Sequence, residues 1–247
     1  MRQRWPSKLW VVRHGQSAGN VARDLADAAG AAMIDMDIRD MDVPLSELGE
    51  EQALSLGRWF KALPEGEQPE VVLASPYVRA IRTAELIGVG GKVTIDERLR
   101  EREFGVLDRL TSFGIKERFP EQAEHRAILG KFYHRPPGGE SWCDVILRLR
   151  SALDTISLHH ADKRVLIVGH QVVVLCLRYI LEDLNEADIL AIDKEADVAN
   201  CGVTAYDFEP DCVEDCDPAL TLYNFTAPLD REGTPVTTAP DAKVAAR

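Results

Sequence analysis

The sequence lacks the features that mark membrane, secreted and nucleic-acid-binding proteins. No apolar run approaches the roughly 18 residues that a membrane-spanning helix needs, and no apolar stretch follows the first basic residues, so we expect no signal peptide. Only 29 Lys and Arg stand against 41 Asp and Glu, which gives a net charge of −12. With no basic stripe in so acidic a chain, we expect neither nucleic acid nor a membrane surface as a partner. A single pocket can still be locally positive.

Paired cysteines at metal-binding spacing are also missing. The chain has five cysteines and no CxxC pair, and no second Cys or His pair accompanies Cys212 and Cys216 at zinc spacing. The acidic stretch 209–217 around them fits a solvated turn better than a metal site. The aspartates of residues 34–42 lack the glycine and the final glutamate of a calcium loop. We therefore expect reduced thiols, a cytoplasmic protein and no bound metal.

What is present is a repeated strand–turn–helix pattern. Short apolar runs at 9–12, 71–74 and 165–168 are each followed by a polar turn and a helical pattern. This order predicts an α/β fold with a mostly parallel central sheet and helices on both faces, a three-layer αβα arrangement. Helices are predicted at 46–62, 75–86, 140–160 and 171–181, and further strands at 202–208 and 219–225.

The chain is long enough for one α/β domain. We assign residues 1–226 to a single domain and expect 227–247, rich in Pro, Thr, Ala and charge, to be an extended or disordered tail. Residues 21–41 form a possible lid insertion. Within it, 21–32 can be helical, whereas 34–42 alternate apolar and charged residues, which suggests a short strand or an extended lid.

Two histidines occupy equivalent positions, just past the carboxyl ends of two predicted parallel strands. His14 follows the strand at 9–12 and His170 follows the strand at 165–168, and ligands bind at this edge of open α/β sheets. Arg13 precedes His14, and Arg79 falls in the first turn of the helix after residues 71–74. Because arginine presents a planar fork to phosphate oxygens, these residues predict a phosphate pocket.

Residues 13–20, RHGQSAGN, resemble the RHGxSxxN signature of the histidine phosphatase superfamily, branch 1, the phosphoglycerate mutase-like family. Further stretches resemble the family's other motifs in the same order: 42–53 (DVPLSELGEEQA), 75–84 (SPYVRAIRTA), 99–105 (LREREFG), 137–141 (PGGES) and 168–170 (VGH). One such motif is weak, but six in order are specific.

The resemblance implies a role for each matching residue. His14 would take the phosphoryl group as a phosphohistidine. Arg13, Arg79 and His170 would hold the phosphoryl oxygens. Glu101, favoured over Glu103 by alignment on the flanking motif residues, would protonate the leaving group and then deprotonate water.

Further positions are expected to bind substrate: Gly15, Gln16, Asn20, Ser46 and Gln171. Because the arginines and histidines would supply the positive charge, no cofactor and no metal are implied. The expected partner is a phosphorylated small molecule, which the sequence does not specify further.

The reaction itself is left open among three alternatives. Glu101 and His170 are only 69 positions apart, too short for the insertion that closes the site of the family's cofactor-dependent mutases, which favours a phosphomonoester hydrolase. A 2,3-bisphosphoglycerate-dependent phosphoglycerate mutase is the first alternative, and a catalytically silent phosphate-binding protein the second. Arg109 could add positive charge at the pocket mouth and favour a second anionic group, and His134 could approach the pocket.

Overall fold

The computed structural model describes residues 5–209 and 218–238. In this part of the chain one six-stranded sheet contains β1 (Lys8–Arg13), β2 (Val71–Ala74), β3 (Val93–Ile95), β4 (Arg164–Gly169), β5 (Val203–Asp207) and β6 (Ala219–Phe225). The strands lie in the order β3-β2-β4-β1-β5-β6. The first four in this order are parallel, and β5 and β6 add an antiparallel edge. The predicted α/β fold with a mostly parallel sheet is confirmed.

The helices of the described residues are α1 (Ala18–Ala28), α2 (Glu47–Ala62), α3 (Val78–Ile87), α4 (Ser112–Arg118), α5 (Pro120–Tyr133), α6 (Trp142–His159), α7 (Gln171–Leu181), α8 (Glu186–Glu195) and α9 (Ala227–Glu232). None of the helices in this part of the chain has the length and apolarity that crossing a bilayer requires.

Two hydrophobic clusters cover the two faces of the sheet. Along β1, Leu9 and Val11 point to the face covered by α6 and α7, whereas Trp10 and Val12 point to the face covered by α2 and α3. Because side chains alternate along a strand and both faces are covered, the central strands are apolar without interruption. This is why the strands at 9–12, 71–74 and 165–168 were visible in the sequence.

Some elements differ from their predicted form. The helix expected from residue 75 begins at Val78, with Tyr77 as its N-cap residue, so Ser75 does not cap it. Four elements were not predicted: β3, α4, α5 and α8. The predictions for 34–42 included a strand, but those residues join no named strand, and a short 3-10 turn, Asp40–Asp42, closes them. Residues 210–217 of the acidic stretch, with Cys212 and Cys216, lie outside the described residues.

The expectation of an extended or disordered tail from residue 227 is wrong for residues 227–232. These residues form α9, whose Leu229 is fully buried against the cluster beneath α2. Residues 234–238 belong to no helix or strand. One buried leucine gives no periodic signal, which is why composition alone suggested a tail. Residues 239–247 are outside the described part, and the expectation for them stays a prediction.

Candidate active site

Three strand-to-helix junctions converge at the carboxyl edge of the sheet. His14 follows β1, Ser75 follows β2, and His170 follows β4 as the N-cap residue of α7. The amino ends of α1, α3 and α7 begin just after these junctions, and their backbone N–H groups favour anions. The sheet therefore brings together, at one edge, the groups that the sequence placed 156 positions apart.

The His14 ring is fully buried and held at both nitrogens. Nδ1 lies 2.7 Å from the backbone carbonyl oxygen of Gly15, and Nε2 lies 3.2 Å from Nε of Arg79. A carbonyl oxygen only accepts a hydrogen bond and a guanidinium nitrogen only donates one. These contacts therefore assign the proton to Nδ1 and the lone pair to Nε2.

The two predicted arginines are both buried but have different partners. Arg13 donates from Nη1 to the backbone carbonyl of Val198 at 2.6 Å. The guanidinium of Arg79 lies over the Tyr77 ring, 4.8 Å from its centroid, besides its contact with His14. Burial, followed by the nearby carboxylate of Glu103, raises the pKa of Tyr77, so its hydroxyl stays neutral.

His170 and Glu101 complete the central group. The ring centroids of His14 and His170 are 5.1 Å apart, and Nδ1 of His170 lies 3.7 Å from Oε2 of Glu101. The Glu101 side chain is buried and Oε1 accepts from the backbone N–H of Arg102 at 2.7 Å. Glu103, by contrast, is exposed and accepts from the hydroxyl of Tyr77. The geometry thus favours Glu101 over Glu103 as the carboxyl group of the site.

A second group of charged side chains holds the backbone of the loop that carries Glu101. Glu140 accepts from Arg100 at 2.6 Å and from Arg148 at 3.0 and 3.1 Å. Arg148 in turn donates to the backbone carbonyl of Glu101 at 3.2 Å. Arg102 is buried as well, donates to the backbone carbonyl of Glu140, and has its pKa lowered by burial. These contacts fix the backbone on both sides of Glu101.

The residues predicted to bind substrate fall into two groups. Asn20 lines the pocket and caps α1 through its contacts with Ser17. Gly15, Gln16 and Ser46 pack against one another and against the start of α2. The Ser46 hydroxyl donates to Oε1 of Gln16 at 2.8 Å.

Gly15 and Gly49 allow these two segments to cross closely. A Cβ at Gly15 would lie 2.4 Å from the carbonyl oxygen of Gly49, a distance that real Cβ atoms do not show. The close Gly15–Gly49 crossing and the Ser46–Gln16 bond therefore position the loop that carries His14. Gln171 lies elsewhere, at the start of α7, and donates to Oδ1 of Asp197 at 3.0 Å.

An open pocket leads to this group. Its charged lining consists of Arg23, Asp40, Arg79, Glu101, Asp108 and Arg109. Its apolar lining consists of Ile34, Met36, Ile38, Phe104 and Leu107. The segment 34–42 thus forms one wall of the pocket. His134 is buried outside this lining, so the possible approach of His134 to the pocket is not seen.

Arg109 lines the pocket as the sequence suggested, but its guanidinium is engaged by the protein. Nη1 donates to the backbone carbonyl of Met36 at 2.7 Å, and Nε lies 3.7 Å from the carboxylate of Asp108. The backbone carbonyl of Arg109 also accepts from the N–H of Ile34 at 2.8 Å. Arg109 therefore fastens the segment 34–42 to the opposite wall.

Sequence reasoning missed several residues that hold the site. Gln52 is fully buried and accepts from the backbone N–H of Gln16 at 2.9 Å, while Asn200 donates to the backbone carbonyl of His14 at 3.0 Å. Ser75 lies 2.7 Å from Nε2 of His170. Gln52 and Ser75 stand inside the quoted motifs, whereas Asn200 lies outside them and had no signal.

Comparison with known proteins agrees with this geometry. The family model of the histidine phosphatase superfamily, branch 1, matches residues 9–214. The chain belongs to this superfamily. Its relatives include "6-phosphofructo-2-kinase/fructose-2,6-bisphosphatase" of Caenorhabditis elegans, 31% identical over 189 residues, which are 76% of this chain but only 37% of that protein.

Other members of the histidine phosphatase superfamily are matched along most of their length. A "probable phosphoglycerate mutase GpmB" of Photorhabdus laumondii is 28% identical over 210 residues, 82% of this chain and 85% of that protein. The solved structure of a mycobacterial glucosyl-3-phosphoglycerate phosphatase with VO3 has a TM-score of 0.68 and 27% identity, and the match covers 88% of this chain and 99% of that one. The superfamily members similar to this chain thus include both phosphatases and proteins named as mutases.

Proposed function

We propose that this protein hydrolyses phosphomonoesters of small molecules, without a metal, through a phosphohistidine on Nε2 of His14. The observation that carries the proposal is the orientation of the His14 ring. Its protonated Nδ1 faces the carbonyl of Gly15, which leaves the lone pair of Nε2 beside Arg79. A histidine in this tautomer can act as a nucleophile once the Arg79 N–H that bonds Nε2 turns to the phosphoryl group, whose charge the guanidinium then stabilises.

In the first half of the reaction, Nε2 of His14 attacks phosphorus and the bond to the ester oxygen breaks. The departing oxygen keeps the electron pair of that bond and takes a proton from the carboxyl group of Glu101. Arg13, Arg79 and His170 hold the other phosphoryl oxygens. The Nδ1–H bond to the Gly15 carbonyl then stabilises the positive charge that the phosphorylated ring carries.

In the second half, a water molecule attacks phosphorus and the bond to Nε2 breaks. The carboxylate of Glu101 takes the proton of this water, so that the carboxyl group and the neutral His14 ring are both restored. The products are the alcohol and inorganic phosphate. The burial of Glu101 between His170 and the Arg102 backbone N–H supports a fixed position for this proton transfer.

Release of inorganic phosphate with EDTA present is the test. The panel contains phosphorylated sugars and 3-phosphoglycerate, because similar proteins are named for such compounds. We expect release that His14→Ala abolishes and that His159→Gln, at the exposed end of α6, leaves unchanged. Release that persists in His14→Ala, or that EDTA stops, would contradict the proposal.

Phosphoglycerate mutase activity is the second candidate, because relatives along most of this chain are named probable phosphoglycerate mutases. A mutase would isomerise 3-phosphoglycerate when 2,3-bisphosphoglycerate is added, with little phosphate released. A silent phosphate-binding protein would do neither reaction. The same protein samples assayed for isomerisation and for phosphate release distinguish the three outcomes.

A further inference from the structure

Asp40, in the segment 34–42, occupies the terminal nitrogens of the Arg79 guanidinium. Nη1 donates to the backbone carbonyl of Asp40 at 2.6 Å and lies 3.1 Å from Oδ1, and Nη2 donates to Oδ2 at 3.2 Å. The remaining nitrogen, Nε, is the one that faces His14. The guanidinium nitrogens that could bind a phosphoryl group are therefore engaged by a carboxylate, which is negatively charged as a phosphoryl group is.

In this arrangement the expected nucleophile is closed off from solvent. His14 is 0% exposed and Arg79 is 3% exposed, whereas the Asp40 side chain is 44% exposed. A phosphomonoester that reaches Nε2 of His14 and binds the fork of Arg79 has to displace the Asp40 carboxylate. Both anions compete for one cation, so occupancy by one weakens binding of the other.

The segment that carries Asp40 is anchored on both sides of it. Ile34 and Met36 are bonded to Arg109, as described above, and on the other side Val43 is buried. Residues 37–39 between these anchors are exposed. Asp40 can thus leave Arg79 by a local movement without exposing the core, and after leaving it remains nearby. A tethered group of this kind competes at a high effective concentration.

We propose that Asp40 is a tethered competitor that sets the affinity of the site for phosphate. Its carboxylate leaves Arg79 when a phosphomonoester binds and returns to Arg79 as inorganic phosphate departs. The exchange of Asp40 with substrate and product rests on the proposed function. The competition between Asp40 and phosphate for Arg79 can be measured without turnover. The consequence is weak retention of the phosphate product.

Isothermal titration calorimetry with inorganic phosphate tests the competition directly. Asp40→Asn removes the charge and keeps the shape, and Asp40→Ala removes the side-chain contact. We expect both variants to bind phosphate about tenfold more tightly than the wild type, as befits loss of one half-exposed competing charge. Asp42→Asn is the matched control, because Asp42 lies in the same turn but pairs with Arg39. It removes the same charge from the chain and is expected to leave the affinity unchanged.

Steady-state kinetics supply the second readout. In the Asp40 variants, the inhibition constant of phosphate and the KM are expected to fall together, while kcat does not rise. Phosphate binding that is unchanged or weaker in both variants would overturn the inference, as would equal tightening in Asp42→Asn or no phosphate binding by any of the proteins. If no protein hydrolyses a phosphomonoester but the Asp40 variants bind phosphate more tightly, the proposed function fails and this inference stands.

Discussion

The Nε2 atom of His170 and the hydroxyl of Ser75 lie 2.7 Å apart, at the ends of the neighbouring parallel strands β4 and β2. Both side chains are fully buried. The hydrogen bond that one ring nitrogen makes sets the orientation and tautomer of an imidazole. Ser75 therefore fixes the nitrogen that His170 presents toward Glu101 and the phosphoryl site.

For Ser75→Ala we expect kcat to fall about tenfold, because His170 loses its fixed orientation, and the free energy of unfolding to fall by about 1 kcal/mol. Phosphate-release kinetics and urea denaturation measure the two effects. Ser157→Ala, a buried serine on α6, is the control for kcat. Full kcat in Ser75→Ala would show that His170 keeps its orientation without this bond.

Replacing Glu140 by Gln removes the charge that two arginines share. Because Arg148 is nearly buried and also holds the backbone of Glu101, its uncompensated charge is expected to cost about 1–3 kcal/mol of unfolding free energy. We also expect kcat to fall at least several-fold, since the Glu101 backbone loses support. The exposed Glu97→Gln serves as the control for both measurements. Unchanged stability and kcat in Glu140→Gln would show that the Glu140–Arg148 contacts do not support the Glu101 backbone.

A methyl group at Gly49 has no room in the crossing with the His14 loop. The Cβ of Gly49→Ala would lie 1.9 Å from the backbone carbonyl oxygen of Gln16. Displacing backbone at such a contact is expected to cost about 2–3 kcal/mol, measured as a lower urea midpoint. Gly66→Ala, where a Cβ meets nothing within 4 Å, is expected to change stability by less than about 0.5 kcal/mol. Equal stability of the two variants would refute the close crossing.

Acid is expected to destabilise the protein partly through His134. Burial, and then the charge of Arg126, lowers the pKa of His134 to about 4 from an ordinary value of 6.5. The unfolded chain therefore binds this proton near pH 6.5 and the folded one near pH 4. This contribution to stability is complete above pH 6.5 and is lost as pH falls toward 4, by up to roughly 3 kcal/mol.

Urea denaturation of wild type and His134→Gln at pH 7, 5.5 and 4.5 measures this loss. The variant is expected to lose less stability over that range than the wild type, whatever its stability at pH 7. His159→Gln, which replaces an exposed histidine, is expected to follow the wild type. Parallel pH dependence of wild type and His134→Gln would exclude the contribution.

The proximity of His14 and His170 could be predicted because both residues stand where apolar strands end. His14 and His170 follow the two longest buried runs, and parallel strands place such ends together. Asp40 could not be predicted, since its contact with Arg79 depends on the path of a segment that joins no strand and contains only a short 3-10 turn. Gln52 and Asn200 were missed for a related reason. An amide side chain on a helix or in a loop usually faces solvent, and only the fold shows that these two bond the backbone of Gln16 and His14.

The contacts made by the last described residues could not be predicted from sequence patterns either. The Thr237 hydroxyl donates to Oδ1 of Asn200 and its backbone carbonyl accepts from the Asn200 N–H, while Gln52 donates to Oγ1 of Thr237. Through Asn200, the backbone of His14 is thus tied to residue 237. A protein shortened to end at residue 226 would lose this tie. It would also expose the apolar surface under α2 that Leu229 covers. An affinity tag or fusion partner is best joined beyond residue 238, where it leaves the bracing of His14 intact.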